Sequence, residues 1–201
     1  ESFGLFLSIL KHVELRTLHI LGFVIAIAVI AINGCANPGT PMGGPKDEMP
    51  PVVVKSTPAP NALGYKKDEF SIEFDELILL KDAALKLVVS PPMNNQPTAV
   101  ARGNELVVSF EDTLQDNTTY TFDFADAITD NNEGNILPNF RFSFSTGQVV
   151  DSMQISGQLF LAGDLSPVSG ALVFLHNNLS DTAFQKLVPV RLAKTSENGH
   201  F

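Results

Sequence analysis

Few residues in this chain of 201 are of a type and spacing that could do chemistry. Cys35 is the only thiol, and a thiol is the group that forms a thioether or ligates a soft metal. It closes the sequence Ile32-Asn33-Gly34-Cys35, where Gly34 lets the backbone enter a narrow protease site. Oxygen donors gather at Asp130-Asn131-Asn132-Glu133-Gly134-Asn135, with Asp126 just upstream. Asp126, Asp130 and Asn132 are therefore the candidate Ca²⁺ ligands, although the run lacks the ligand spacing of an EF-hand. The competing reading is a hairpin turn, where Asn and Gly tolerate positive φ. Beyond Cys35 only His176 and His200 could serve as imidazole ligands or bases, and they lie far apart in sequence. Nothing resembles a nucleophile elbow. Glu73, Asp75 and Glu76 could pair as glycosidase carboxylates, yet Glu73 and Asp75 fall on the polar side of an alternating run, which reads as a solvated face. Catalysis is not expected, and neither is a cofactor.

The element that positions Cys35 is an apolar run, residues 20–32, of about 13 residues. That length suits the core of a secretory signal and falls short of the roughly 20 residues a spanning helix needs. Lys11 and Arg16 precede it as the positive region. An N-terminal signal helix over residues 1–34 is expected. The chain opens on Glu1, not Met, and residues 3–10 form a second apolar patch. Two readings stay open: a fragment, or a start set too far upstream with the working signal only from about Lys11 onward. Ile32-Asn33-Gly34-Cys35 resembles a bacterial lipobox. The resemblance implies a diacylglycerol on the Cys35 sulfur, cleavage between Gly34 and Cys35, and acylation, such as with palmitate, of the new amino group. A single acyl chain anchors marginally, whereas two or three hold firmly. The alternative is an uncleaved membrane anchor with a buried free thiol.

Lys11 and Arg16 balance Glu1 and Glu14, so the net charge of −9 resides entirely in residues 35–201. Such a balance excludes the clustered Lys and Arg that nucleic acids or anionic membrane surfaces demand. With Cys35 lipidated no disulfide can form, and apolar burial must hold the fold. The chain has 15 Phe and no Trp, a bias towards strands.

Residues 35–50 are rich in Pro and Gly without periodicity and read as an extended tether. The pattern then changes to period two. Phe70, Ile72 and Phe74 alternate with Ser71, Glu73 and Asp75; Leu85, Leu87 and Val89 form another face. Leu106, Val108 and Phe110 follow, then Tyr120, Phe122 and Phe124, then Phe140, Phe142 and Phe144. Turn signals separate these runs at residues 58–61, 90–92, 102–104 and 131–135. The expected class is all-β: an Ig-like β-sandwich at 51–147, followed by a partial second β-sandwich at 154–201. Leu114, six residues before Tyr120 at the start of a strand, points to a tyrosine corner, with the phenol bonded to a backbone group upstream.

Residues 51–147 resemble the SbsA-type bacterial Ig-like domain. The likeness rests on Val54-Lys55-Ser56-Thr57-Pro58, the Phe70–Phe74 run, the residues from Leu114 to Tyr120, the loop from Ala127 to Asn135, and the closing Phe142-Ser143-Phe144-Ser145-Thr146-Gly147. It implies an envelope or surface module without catalysis. Residues 154–201 resemble the opening half of a carboxypeptidase-regulatory-like, transthyretin-type sandwich, carried by Ile155-Ser156-Gly157, residues 167–175 and residues 195–201. A further strand is expected to start at Phe201, and residues 148–152 form a linker too short for large independent motion. Asp112-Thr113-Leu114, Asp151-Ser152-Met153 and Asp181-Thr182-Ala183 match a short acceptor pattern for O-linked glycans used in some bacterial periplasms.

The expected protein is a lipid-anchored, non-catalytic module of the cell envelope, engaging the membrane through its lipid and an envelope protein as partner. No acidic residues directly follow Cys35, which favours the periplasmic face of the outer membrane of a Gram-negative bacterium over the cell surface. The alternatives are a glycan- or peptide-binding module of an outer-membrane uptake system, or an accessory part of a larger hydrolase. Sugar binders stack rings on Trp or Tyr, and this chain offers only Tyr65 and Tyr120.

Overall fold

Alternating side chains organise the larger sheets of the computed structural model, which describes Gly44 and residues 46–201. The expected signal segment and the Gly34 and Cys35 junction lie outside the described residues. In chain order the first strands are β1 (Val53–Thr57), β2 (Glu69–Phe74), β3 (Ile78–Leu80), β4 (Val88–Ser90), β5 (Thr98–Arg102) and β6 (Glu105–Ser109). After them come β7 (Thr119–Ala125), β8 (Ile128–Asp130), β9 (Ile136–Leu137), β10 (Phe140–Ser145), β11 (Leu172–Leu175) and β12 (Arg191–Lys194).

One sheet runs in the order β1-β2-β6-β5 and faces another in the order β10-β7-β4, all neighbours antiparallel. Phe70, Ile72 and Phe74 of β2 are buried while Glu69 and Glu73 are exposed, so one face of β2 is core and the other meets water. Tyr120, Phe122 and Phe124 of β7 meet Phe142 and Phe144 of β10 in that same core. A third sheet, β3-β8-β9, adds Ile78 and Ile128 to the cluster. Its strands are only two or three residues long, too short for alternation to announce them.

With no disulfide available, aromatic packing carries much of the cohesion. Phe144 is fully buried, with Tyr65 at 4.8 Å, Phe122 at 5.8 Å and Tyr120 at 6.0 Å between ring centroids. Phe70 stacks on Phe142 at 4.7 Å and meets Phe122 edge-on at 4.8 Å. Such pairs contribute about 0.5–1.5 kcal/mol each beyond area burial. The β5–β6 hairpin closes through a two-residue turn with Gly103 at φ +67°, a conformation an L side chain resists.

The Leu85, Leu87 and Val89 spacing predicts a single strand face, and the structure corrects it. Residues Ala83–Lys86 form one helical turn, entered through Asp82 at φ 54°. Each helical residue rotates the side chain by about 100°, so Leu85 swings out to 76% exposure while Leu87 and Val89 stay buried. The same turn brings Lys86 to Asp126, Nζ to Oδ1 3.0 Å.

Residues 148–152 are tied down: the Ser145 hydroxyl donates to the Val149 carbonyl at 2.6 Å, and the Asp151 N–H donates to Thr119 Oγ1 at 2.9 Å. Beyond them, where a partial sandwich is expected, stands a single two-stranded antiparallel sheet, β11–β12, with isolated bridges Gln158 to His200 and Phe160 to Pro167. Ala183 is the one buried hydrophobic side chain of residues 154–201. Two strands cannot enclose a core of their own. β12 instead lies against β4, where the Leu192 N–H donates to Ser90 Oγ at 3.2 Å and Lys194 Nζ donates to the Leu85 carbonyl at 3.1 Å. Among the described residues no helix is long and apolar enough to cross a membrane.

Candidate functional site

The residues singled out by type occupy separate places. Tyr120 is buried at the start of β7, and its hydroxyl accepts the Gln115 N–H at 2.9 Å. Leu114 packs half-buried against the core beside it. The same loop is bolted from the other side by Thr146, whose hydroxyl donates to the Gln115 carbonyl at 2.7 Å and accepts the Thr118 N–H at 3.0 Å. Gly147 completes the seal, because a Cβ there would fall 2.8 Å from Asn117 Cα. The Tyr120 spacing is visible in sequence; the Thr146 clamp joins residues some thirty apart and has no local signal.

Asp130 is almost fully buried at the end of β8 and turns into its own loop. One oxygen accepts the N–H groups of Glu133 at 2.6 Å and Gly134 at 2.9 Å, and the other accepts that of Asn135 at 2.7 Å. Burial pushes its carboxyl up, but these N–H bonds outweigh it and hold it below the ordinary carboxylate range. The oxygens that a Ca²⁺ ion would need are thus committed to the hairpin turn. Asp126 pairs with Lys86, and the Asn132 side-chain oxygen accepts from Asn131 at 3.4 Å, so these two oxygens are engaged elsewhere as well. Among the described residues no group of three or more His, Cys, Asp or Glu is placed to hold a metal.

The loop holds the start of the domain. Asn135 Nδ2 donates to the carbonyls of Asp47 at 3.0 Å and Met49 at 3.1 Å, while Asp75 accepts the Val52 N–H at 2.8 Å. Carboxylates crowd this end: burial first, then Asp130, Asp75, Asp47 and Glu133, push Glu76 above its ordinary range. Glu73 and Asp75 are exposed, as a solvated face requires.

A groove of about 1000 Å³ lies between the outer face of the β10-β7-β4 sheet and the β11–β12 hairpin. Thr121, Asp123 and Arg141 form part of its floor, and Val173, Leu175 and Arg191 part of its wall. Arg141 pairs with Asp123 at 2.7 Å, and Arg191 pairs with Asp151. The Thr121 and Ser143 hydroxyls bond each other at 2.9 Å. Among the described residues no hydroxyl bonds an imidazole, the contact that activates a nucleophile. What the groove offers is a sheet surface of hydroxyls and paired charges opposite an aliphatic wall. It is assembled from segments remote in sequence, which is why no motif announces it.

Comparison with known proteins gives a family match to the bacterial Ig-like domain over residues 47–146. No curated protein matches the chain. Among solved structures it is similar to an L,D-transpeptidase from Mycobacterium smegmatis, at 11% identity and a TM-score of 0.32, covering 64% of this chain and 61% of that one. It is also similar to the S-layer protein rSbsC, at 15% identity and a TM-score of 0.32, covering 67% of this chain and 17% of that one. The chain thus spans less than two thirds of either protein's length. With its facing antiparallel sheets and phenylalanine core, the segment 47–146 is a bacterial Ig-like domain.

Proposed function

We propose that this chain is a lipid-anchored, non-catalytic module of the bacterial cell envelope, which holds a β-sandwich off the membrane and docks an envelope protein. The observation that carries the reading is the order of parts: a lipobox-like Ile32-Asn33-Gly34-Cys35, a Pro/Gly-rich tether, then the bacterial Ig-like domain at 47–146. The domain family supports an extracytoplasmic setting, and the tether supports separation from the bilayer. Residues 154–201 are read as the opening of a regulatory-like sandwich, and the periplasmic face of the outer membrane is the preferred site. Fractionation tests the proposal. The parent chain partitions with membranes, and Cys35→Ala releases it or leaves it as an unprocessed precursor. A parent chain recovered wholly in the soluble fraction would sink the idea. A second reading, a peptide-binding module of an uptake system, is favoured by the groove beside β4; its absence of Trp argues against sugar stacking.

A further inference from the structure

Three tripeptides pair an Asp with a hydroxyl residue and then an aliphatic or small one, and the structure separates them. Thr113, Ser152 and Thr182 are all exposed and all lie outside strands. The preceding carboxylates differ. Asp112 is occupied by the backbone N–H groups of Asn94 and Asn95 and by the Asn95 side chain. Asp151 is ion-paired with Arg191. Asp181 is exposed and makes no hydrogen bond or ion pair among the described residues, so a visiting enzyme can read it in the folded protein. Residues 177–182 are exposed without interruption, in the loop between β11 and the helical turn Ala183–Lys186. The Thr182 hydroxyl makes no cap bond to that turn; its one hydrogen-bond partner among the described residues is Ser180 Oγ at 3.2 Å, itself exposed. Close to it in sequence are exposed apolar side chains, Leu179 at 99% exposure, Phe184 at 69% and Val188 at 72%. Exposed apolar side chains in one short segment are a liability unless something covers them, and a bulky hydrophilic sugar in that segment would do so.

We propose that Thr182 is an O-glycosylation site, with Asp181 and the buried Ala183 framing the acceptor. The donor class is a glycan carried on a lipid diphosphate. Thr182 Oγ1 forms a bond to the anomeric carbon as the bond from that carbon to the diphosphate oxygen breaks. The diphosphate leaves with the electron pair, and the hydroxyl proton passes to a base on the transferase. The step goes beyond the role proposed above but rests on export of the chain.

The test is intact mass and peptide mapping of the full chain expressed in its own bacterium and recovered from fractionated cells. The parent should carry a single glycan increment that Thr182→Val loses entirely and Thr182→Ser retains. Thr113→Val and Ser152→Ala should leave it in place, and Asp181→Asn should lower its occupancy. An envelope-located parent with the same modification state as Thr182→Val overturns this inference alone. An increment that follows Thr113 or Ser152 overturns the assignment to Thr182. A chain confined to the cytoplasm overturns both this inference and the envelope reading.

Discussion

Tyr120 gives up its exposed hydroxyl on folding and recovers one bond, from the Gln115 N–H. Tyr120→Phe keeps the ring in the aromatic core but leaves that N–H without its partner. The expected loss is about 1 kcal/mol, the net contribution of a typical protein hydrogen bond. Urea denaturation of parent and variant checks it, and an unchanged midpoint would remove Tyr120 from the loop's support. Thr129 is the opposite case. It is fully buried in β8, and its hydroxyl has no hydrogen-bond partner among the described residues. Thr129→Val keeps the shape and removes an oxygen that gains nothing from burial, so stability should rise by about 1 kcal/mol. Phe144→Ala, at the meeting point of the ring cluster, should cost about 3–5 kcal/mol in the same measurement.

At the scale of elements, the loop between β8 and β9 is the most consequential, because it braces itself on Asp130 and then grips residues 47–49 through Asn135. Its pH response follows from two carboxyls shifted in opposite directions. Asp130 titrates below its unfolded value, so its stabilisation is complete above the ordinary carboxylate range and is lost as pH falls through its folded pKa. Glu76 titrates above its unfolded value, so it favours the fold at low pH and weakens it as pH rises through its folded pKa. Glu76→Gln should therefore raise the melting temperature at neutral pH and leave it unchanged well below the ordinary carboxylate range, where Glu76 is neutral in both the folded and the unfolded chain. Melting curves across pH decide this; an equal gain at every pH would mean the crowding of carboxylates is irrelevant. The strands themselves were legible wherever one face is core and the other water, as in β2, β7 and β10. The helical turn at Ala83–Lys86 was not, because Leu85, Leu87 and Val89 keep strand spacing while the left-handed backbone at Asp82 opens a helical turn that their spacing does not signal. The turn at 131–135 was legible from Asn and Gly, but the inward aim of Asp130 depends on N–H groups that only the folded loop presents.

At the scale of the molecule, a complete Ig-like sandwich adjoins a segment that borrows its neighbour's surface. Residues 154–201 bury almost nothing by themselves: Leu192 bonds Ser90 of β4, Lys194 the Leu85 carbonyl just before that strand, and Arg191 pairs with Asp151 of the linker. Stability should be unevenly divided. In native-state hydrogen exchange, amides of β2, β6 and β7 should exchange only by global unfolding, and those of β11 and β12 by local opening at much lower free energy. Equal protection across all five strands would contradict that division. The groove between the two parts was invisible in sequence for the same reason that β12 has no partner sheet of its own: both arise from docking of distant segments. Function above this level depends on Cys35, which joins the sandwich to a bilayer in the proposed reading. Growth with an alkyne-bearing fatty acid, followed by click detection, measures that join directly. The parent chain should label and Cys35→Ala should not; equal labelling of the two would contradict the lipid anchor.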